Sequence, residues 1–295
     1  MSFDEAFKSV IIANNAKLNL KQNHLHITQS DNEVNLYLKD LAFIILESPQ
    51  ITLTSALLSA LAKAKIVLLS CDESHLPNGI FMPFLAHFQA SQIAKEQIAV
   101  KEQTKAILWQ KIIQNKIRNQ AFVLSRTGHK KASDELLAIA KSVRLNDSTF
   151  AESRAAALYF KTLFGKEFSR NELCFENSAL NYGYAIVRGA IVRAVCISGL
   201  LAWLGIKHAN ALNQFNLCDD IIEPFRAFVD MKVLSLQSDS EFLGKAHKHA
   251  LIENLQSQVQ LNDKKLPLIR ALNHFVQNFR SALLDGGELA NVGFA

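Results

Sequence analysis

The stretch Pro77-Asn78-Gly79-Ile80-Phe81-Met82-Pro83 separates two kinds of sequence. It holds the first glycine of the chain, and Pro-Asn-Gly reads as a turn, the expected joint between two domains. Upstream, short β-compatible runs at residues 9–12, 18–20, 25–28, 34–38 and 41–46 are separated by Asn, Asp or Ser. Residues 54–64 have helical spacing and precede another apolar run at 66–70. Residues 1–79 are therefore expected to form a small β-rich domain with one helix across its sheet. Downstream, apolar residues recur at helical intervals among Ala, Leu, Lys, Gln and Glu. Helices are predicted at residues 88–120, 132–143, 150–164, 182–204, 221–233, 247–260 and 266–284. Residues 286–293 read as a loose tail. The fold class is α+β, with residues 80–295 forming the larger all-α domain.

The 295 residues are 49% hydrophobic and 20% charged, which excludes disorder. The most apolar run, residues 194–206, is too short to span a bilayer, and the N-terminus has acids where a secretory signal would carry positive charge. The sequence is thus expected to be cytoplasmic, with no membrane contact. Cys71, Cys174, Cys196 and Cys218 form no CxxC pair, so a disulfide framework or zinc knuckle is not expected, and buried free thiols are. Net charge is +5, divided as −2 over residues 1–85 and +7 over the remainder. The basic part is the candidate binder of anions.

Three places carry polar groups that the helical pattern does not require. Glu152 heads a stripe of Ala155, Ala156, Tyr159 and Leu163. It can be a functional carboxylate, or the end of a capping box begun by Thr149. The segment from Gly205 to Arg226 concentrates His208, Asn210, Asn213, Asn216, Asp219, Asp220 and Glu223. On a helix the three acids share a face, which favours a cation; they can equally serve a helix N-terminus. One His with carboxylates fits Mn²⁺ or Mg²⁺ better than zinc, and such ions serve phosphate chemistry. The third place is Asn181-Tyr182-Gly183-Tyr184 with Arg188 and Arg193 beyond it, where a buried, hydrogen-bonded Tyr is the plain reading.

The segments Glu152-Ser-Arg-Ala-Ala-Ala-Leu-Tyr159-Phe160, Leu180-Asn-Tyr-Gly-Tyr184, and His208 followed by Asn216-Leu-Cys-Asp219-Asp220-Ile-Ile-Glu223-Pro224-Phe225-Arg226 resemble the CRISPR-associated integrases that acquire new spacers, CRISPR-associated protein one. The resemblance extends to residues 16–21 and to the joint, and its form is closest to the type II branch. It implies a β-sandwich used for homodimerisation and a helical domain binding Mg²⁺ or Mn²⁺ through Glu152, His208 and Asp220. Asp219 and Glu223 are alternative or outer ligands, and Asn181 and Tyr182 supporting groups. It further implies a DNA endonuclease and integrase in which a fragment's 3′-hydroxyl attacks a phosphodiester of the CRISPR repeat. The implied partners are double-stranded DNA, CRISPR-associated protein two and a type II RNA-guided effector nuclease. Ser153-Arg154 and Cys218 depart from the family pattern without removing a ligand. Helical spacing leaves the aspartate open, since Asp219 rather than Asp220 returns to the face of His208. Two other functions compete: a noncatalytic DNA-binding scaffold, and a metal hydrolase of small phosphate esters with little affinity for duplex DNA.

Overall fold

The computed structural model describes residues 8–30, 32–73, 76–83, 86–236 and 243–295. Strands β1 (Lys8–Ile12), β2 (Ala16–Lys21), β3 (His24–Gln29), β4 (Asn32–Tyr37), β5 (Leu41–Leu46) and β6 (Ile51–Leu53) come first. Helix α1 (Ser55–Lys63), β7 (Val67–Cys71) and β8 (Pro77–Phe81) follow. They form two four-stranded sheets, β1-β5-β7-β8 and β4-β3-β2-β6.

Strand β5, Leu-Ala-Phe-Ile-Ile-Leu, is buried at all six positions, and its alternation explains why. Leu41, Ile44 and Leu46 join Leu18, Leu25 and Ile27 of the other sheet and Leu57 and Leu61 of α1 in one core. Phe43 and Ile45 face the other way, into the core of the helical part. A strand covered on both faces loses its polar alternation. The first sheet thus lies between the second sheet and the helices. The predicted turn at Pro77-Asn78-Gly79 is instead an edge strand, β8, paired antiparallel to β7. A Cβ at Gly79 would come 2.3 Å from Ser70 Oγ, so a larger residue there would require the serine hydroxyl to rotate away.

The remainder is mostly helical: α2 (Ala90–Ile98), α3 (Glu102–Arg126), α4 (Lys130–Ser142), α5 (Ala151–Phe164), α6 (Phe175–Ile197), α7 (Asn216–Ile222), α8 (Arg226–Leu234), α9 (Lys245–Glu253) and α10 (Leu268–Leu284). Residues 88–120 are two helices rather than one, and residues 221–233 are interrupted by a 3₁₀ turn, Glu223–Phe225, whose Pro224 has no N–H to continue an α-helix. The helix expected over 182–204 begins earlier and ends at Ile197, with Gly199 at positive φ just beyond. By length and apolar composition α6 could cross a membrane, but most of it is buried in this core.

Two expectations fail at the C-terminal end. The helix predicted over 247–260 stops at Glu253, and β9 (Gln258–Leu261) pairs with β10 (Lys264–Pro267) and β11 (Val292–Phe294). Buried Val259 and Leu261 alternate with Gln258 and Gln260, a period of two within a run that also satisfies a helix. The tail is not loose: Leu289, Ala290 and Val292 are buried, and Asn115 of α3 exchanges two hydrogen bonds with the Val292 backbone, at 2.6 and 2.9 Å. All four cysteines are free, but only Cys218 is fully buried. Burial pushes the Cys71 thiol up to about 12, which leaves it unreactive.

Candidate active site

Helix α3 is the floor of the site. Its buried polar face carries Asn115, Lys116, Asn119 and Gln120, an unusual density for a central helix. Asn119 Nδ2 donates to the carbonyl of Pro224 at 2.8 Å and so pins the 3₁₀ turn that presents Glu223. From the other side α5 presents Glu152. The capping box predicted there does not form: Phe150 at the helix start is left-handed and gives no side-chain cap. Asp147 caps instead, accepting from the backbone N–H of Ala151 at 2.8 Å and of Glu152 at 3.1 Å. The Glu152 carboxylate is thereby released from the helix end.

Glu152 and Glu223 meet at one cation. Lys116 Nζ lies 2.6 Å from Glu152 Oε1 and 2.5 Å from Glu223 Oε2. Lys116 thus bridges the two carboxylates, donating a hydrogen bond to Glu152 and lying in direct ion-pair contact with Glu223. Its Oε1 accepts from Arg226 Nε at 2.9 Å. Burial opposes ionisation of Glu223, but Lys116 and Arg226 outweigh it and hold the carboxyl down at about 2. Burial likewise works against the Lys116 ammonium, and Glu223 and then Glu152 reverse the effect and raise its pKa.

His208 is held by different means. Asp220, with no exposed surface, accepts its Nδ1–H at 2.7 Å. The same carboxylate accepts backbone N–H groups from Ile206 at 2.6 Å, Lys207 at 3.1 Å and His208 at 3.1 Å. Gly205 allows this wrapping, since a Cβ there would come 2.3 Å from the His208 carbonyl oxygen and 2.7 Å from Asp220 Oδ2. Because Nδ1 is committed to a carboxylate, Nε2 is the ring atom left to face outward. The ring stands edge-on to Trp109 of α3, two turns before Lys116, and one side opens onto a cleft of about 260 Å³ lined by Trp203, Asn210 and Asn213. The hydrogen bond to Asp220 raises the His208 pKa against the opposing effect of burial, and the charge of Glu223 adds to the rise.

The structure therefore groups Glu152 with Glu223 and pairs His208 with Asp220. Among the described residues, no three His, Cys, Asp or Glu side chains stand together as a ready metal cage. Asp219 is turned away, bound by Arg188 Nε at 2.6 Å and Asn213 Nδ2 at 2.7 Å. Asn181 accepts from Arg170 at 2.7 Å, and the Tyr182 hydroxyl donates to Glu47 Oε1 at 3.3 Å, beside Lys248 at the junction with the first sheet. Neither is bonded to Glu152 or Glu223. Lys116, Asp147 and Arg226 escaped the sequence reading; the available signal was that Lys116 lies between Ile113 and Ile117 on a helix with little solvated face.

A β-sandwich backed by a helical body that brings two carboxylates to a buried lysine defines a mixed α+β protein. The profile of the family described as "CRISPR associated protein Cas1" matches residues 10–267. The chain is 38% identical over 282 residues to the CRISPR-associated endonuclease Cas1 of Neisseria meningitidis, covering 95% of this chain and 93% of that one. It belongs to the Cas1 family. Among solved structures, a casposase bound to its integration product superposes with a TM-score of 0.77 at 18% identity, covering 95% of this chain and 92% of that one. A Cas6-RT-Cas1–Cas2 complex gives 0.73 at 19% identity, over 96% of this chain and 35% of that one.

Proposed function

We propose that this protein is a divalent-metal-dependent DNA endonuclease and integrase that inserts captured DNA fragments into a CRISPR array as spacers. The observation that carries the reading is the convergence of Glu152 and Glu223 on a single buried point, with His208 locked by Asp220 across the same face of α3. Two carboxylates and an imidazole suit Mg²⁺ or Mn²⁺, and the point where Glu152 and Glu223 converge already holds one cation, the Lys116 ammonium. Of the acids in the sequence, Glu152 and Glu223 are the fitting ligands, with His208 as the nitrogen donor. Asp220, with four donors already on its carboxylate, orients the histidine.

A bound ion of this kind supplies Lewis-acid polarisation of a phosphoryl oxygen and activates the attacking hydroxyl. The protein's own groups do the rest. Asp220 fixes the ring so that Nε2 is presented rather than free to flip. Arg226 stays on Glu223 Oε1 and keeps that carboxylate ionised. Lys141, Arg144 and Arg154 line a cleft of about 820 Å³ at the start of α5, where they can hold DNA phosphates beside Glu152. The casposase relative of the fold, caught with an integration product, supports joining as well as cutting. The Cas1–Cas2 assembly supports a second small subunit as partner.

Glu152→Gln tests the proposal. Its amide oxygen can still accept from Lys116, so the fold should persist and DNA affinity should change little. Mn²⁺-dependent joining of a 3′-hydroxyl end into a duplex should fall by about a thousandfold or more, the scale of several kcal/mol of Lewis-acid stabilisation. Joining at the wild-type rate would remove Glu152 from the site.

A further inference from the structure

Lys116 occupies the point at which the two carboxylates converge. Its side chain is 10% exposed, beside Glu152 at 29% and Glu223 at 5%. Two carboxylates brought this close repel each other unless a cation lies between them, and this ammonium is the cation that touches both. It pairs with Glu223 Oε2 and donates a hydrogen bond to Glu152 Oε1. A divalent cation carries twice the charge of this ammonium and seeks the same carboxylate oxygens. Arg226 would remain on the far oxygen of Glu223 if Lys116 moved, so the carboxylate would not be stranded. The lysine stem is a flexible four-carbon chain, unlike the planar guanidinium of an arginine.

We propose that Lys116 is the resident counter-cation of the Glu152–Glu223 pair, holding both carboxylates in place before a divalent ion binds and competing with that ion for the same point. The proposal rests on the reading of Glu152 and Glu223 as metal ligands. Lys116 thereby sets the metal affinity of the site: it keeps the ligands from splaying, and it makes binding weaker than an empty carboxylate pair would give.

Mn²⁺ titration calorimetry on the full-length wild type, Lys116→Met and Lys116→Arg, with melting temperatures measured with and without Mn²⁺, provides the test. Lys116→Met should bind Mn²⁺ tighter by roughly tenfold or more, because the competitor is gone and the carboxylates repel until the ion arrives. Lys116→Arg keeps the charge and grips both carboxylates more firmly, so it should bind no tighter than wild type. If Lys116→Met is unstable alone, Mn²⁺ should raise its melting temperature by more than it raises that of wild type. Equal or weaker binding by Lys116→Met, a Met variant that Mn²⁺ fails to stabilise, or an Arg variant as tight as the Met variant would each overturn the proposal. The underlying metal reading fails differently: neither wild type nor Lys116→Met would then bind Mn²⁺ at all.

Discussion

The two halves of the site are held by opposite physics. On the His208 side one carboxylate, Asp220, takes three backbone N–H bonds and one imidazole bond, all directional and all buried. On the Glu152 side two carboxylates share a lysine, which donates a hydrogen bond to Glu152 and lies in ion-pair contact with Glu223. The first arrangement is saturated and its geometry is fixed by the chain. The second is held by charge, which is less particular about its partner. On the proposed reading, His208 is the rigid donor, and the Glu152–Glu223 pair is where one counter-ion gives way to another.

Replacing Glu223 should have the largest effect, because it belongs to the exchangeable half yet is as buried as the rigid one. Glu223→Gln would leave Lys116 and Arg226 facing a neutral amide inside the protein, and breaking a buried ion pair on one side costs about 3–5 kcal/mol. Both the melting temperature and Mn²⁺-dependent DNA joining should fall, the latter by about a thousandfold or more. Joining that survives in a folded Glu223→Gln protein would show that Glu152 and His208 suffice.

Asp220→Asn separates the halves. The amide nitrogen must face either the Ile206 and Lys207 N–H groups or those of His208, leaving donors opposed in a buried place. Each unsatisfied group costs about 1–3 kcal/mol, so melting should drop by roughly 5 °C or more. Mn²⁺ should still bind, more weakly by about 10–100-fold because His208 is no longer held in orientation. If instead Mn²⁺ binding vanished while melting stayed unchanged, Asp220 would itself be a ligand and not the residue that orients His208.

The sandwich was legible because β5 must be apolar at every position when both faces are covered, and the flanking strands are short and bounded by polar clusters. The strand Gln258–Leu261 was not, since four alternating residues next to a helix fit either period. Of the site, Glu152, His208 and the acid cluster stood out as polar groups amid apolar sequence. Their division of labour did not, because it depends on the 3₁₀ turn at Pro224 and on the loop wrapped around Asp220, neither of which follows from helical spacing. Lysines on long helices are commonly solvated, so the apolar neighbours Ile113 and Ile117 were a weak mark of Lys116 beside the acids that it pairs with.

The smallest effect belongs to a third carboxylate, outside the cation site. Asp230 of α8 is buried and accepts hydroxyl hydrogen bonds from Tyr159 of α5, at 2.9 Å, and Tyr184 of α6. It thereby ties the helix carrying Glu152 to the two helices behind it. Burial raises its pKa to about 6 from an ordinary value of 3.8, against the two tyrosine bonds and the charge of Arg226. A carboxyl whose pKa is higher folded than unfolded keeps its proton in the native state where the unfolded chain has lost it. Its contribution to stability is therefore fully present below about pH 4 and declines as pH rises towards about 6. The decline is on the order of 2 kcal/mol. Asp230→Asn cannot ionise, so it lacks this descending term, although one tyrosine loses an acceptor at every pH. The melting temperature of the variant relative to wild type should accordingly improve between pH 4 and pH 6, by about 5 °C, and then stay level. A difference that is flat across that range would mean that Asp230 titrates alike in the folded and unfolded chains, and that burial costs it nothing.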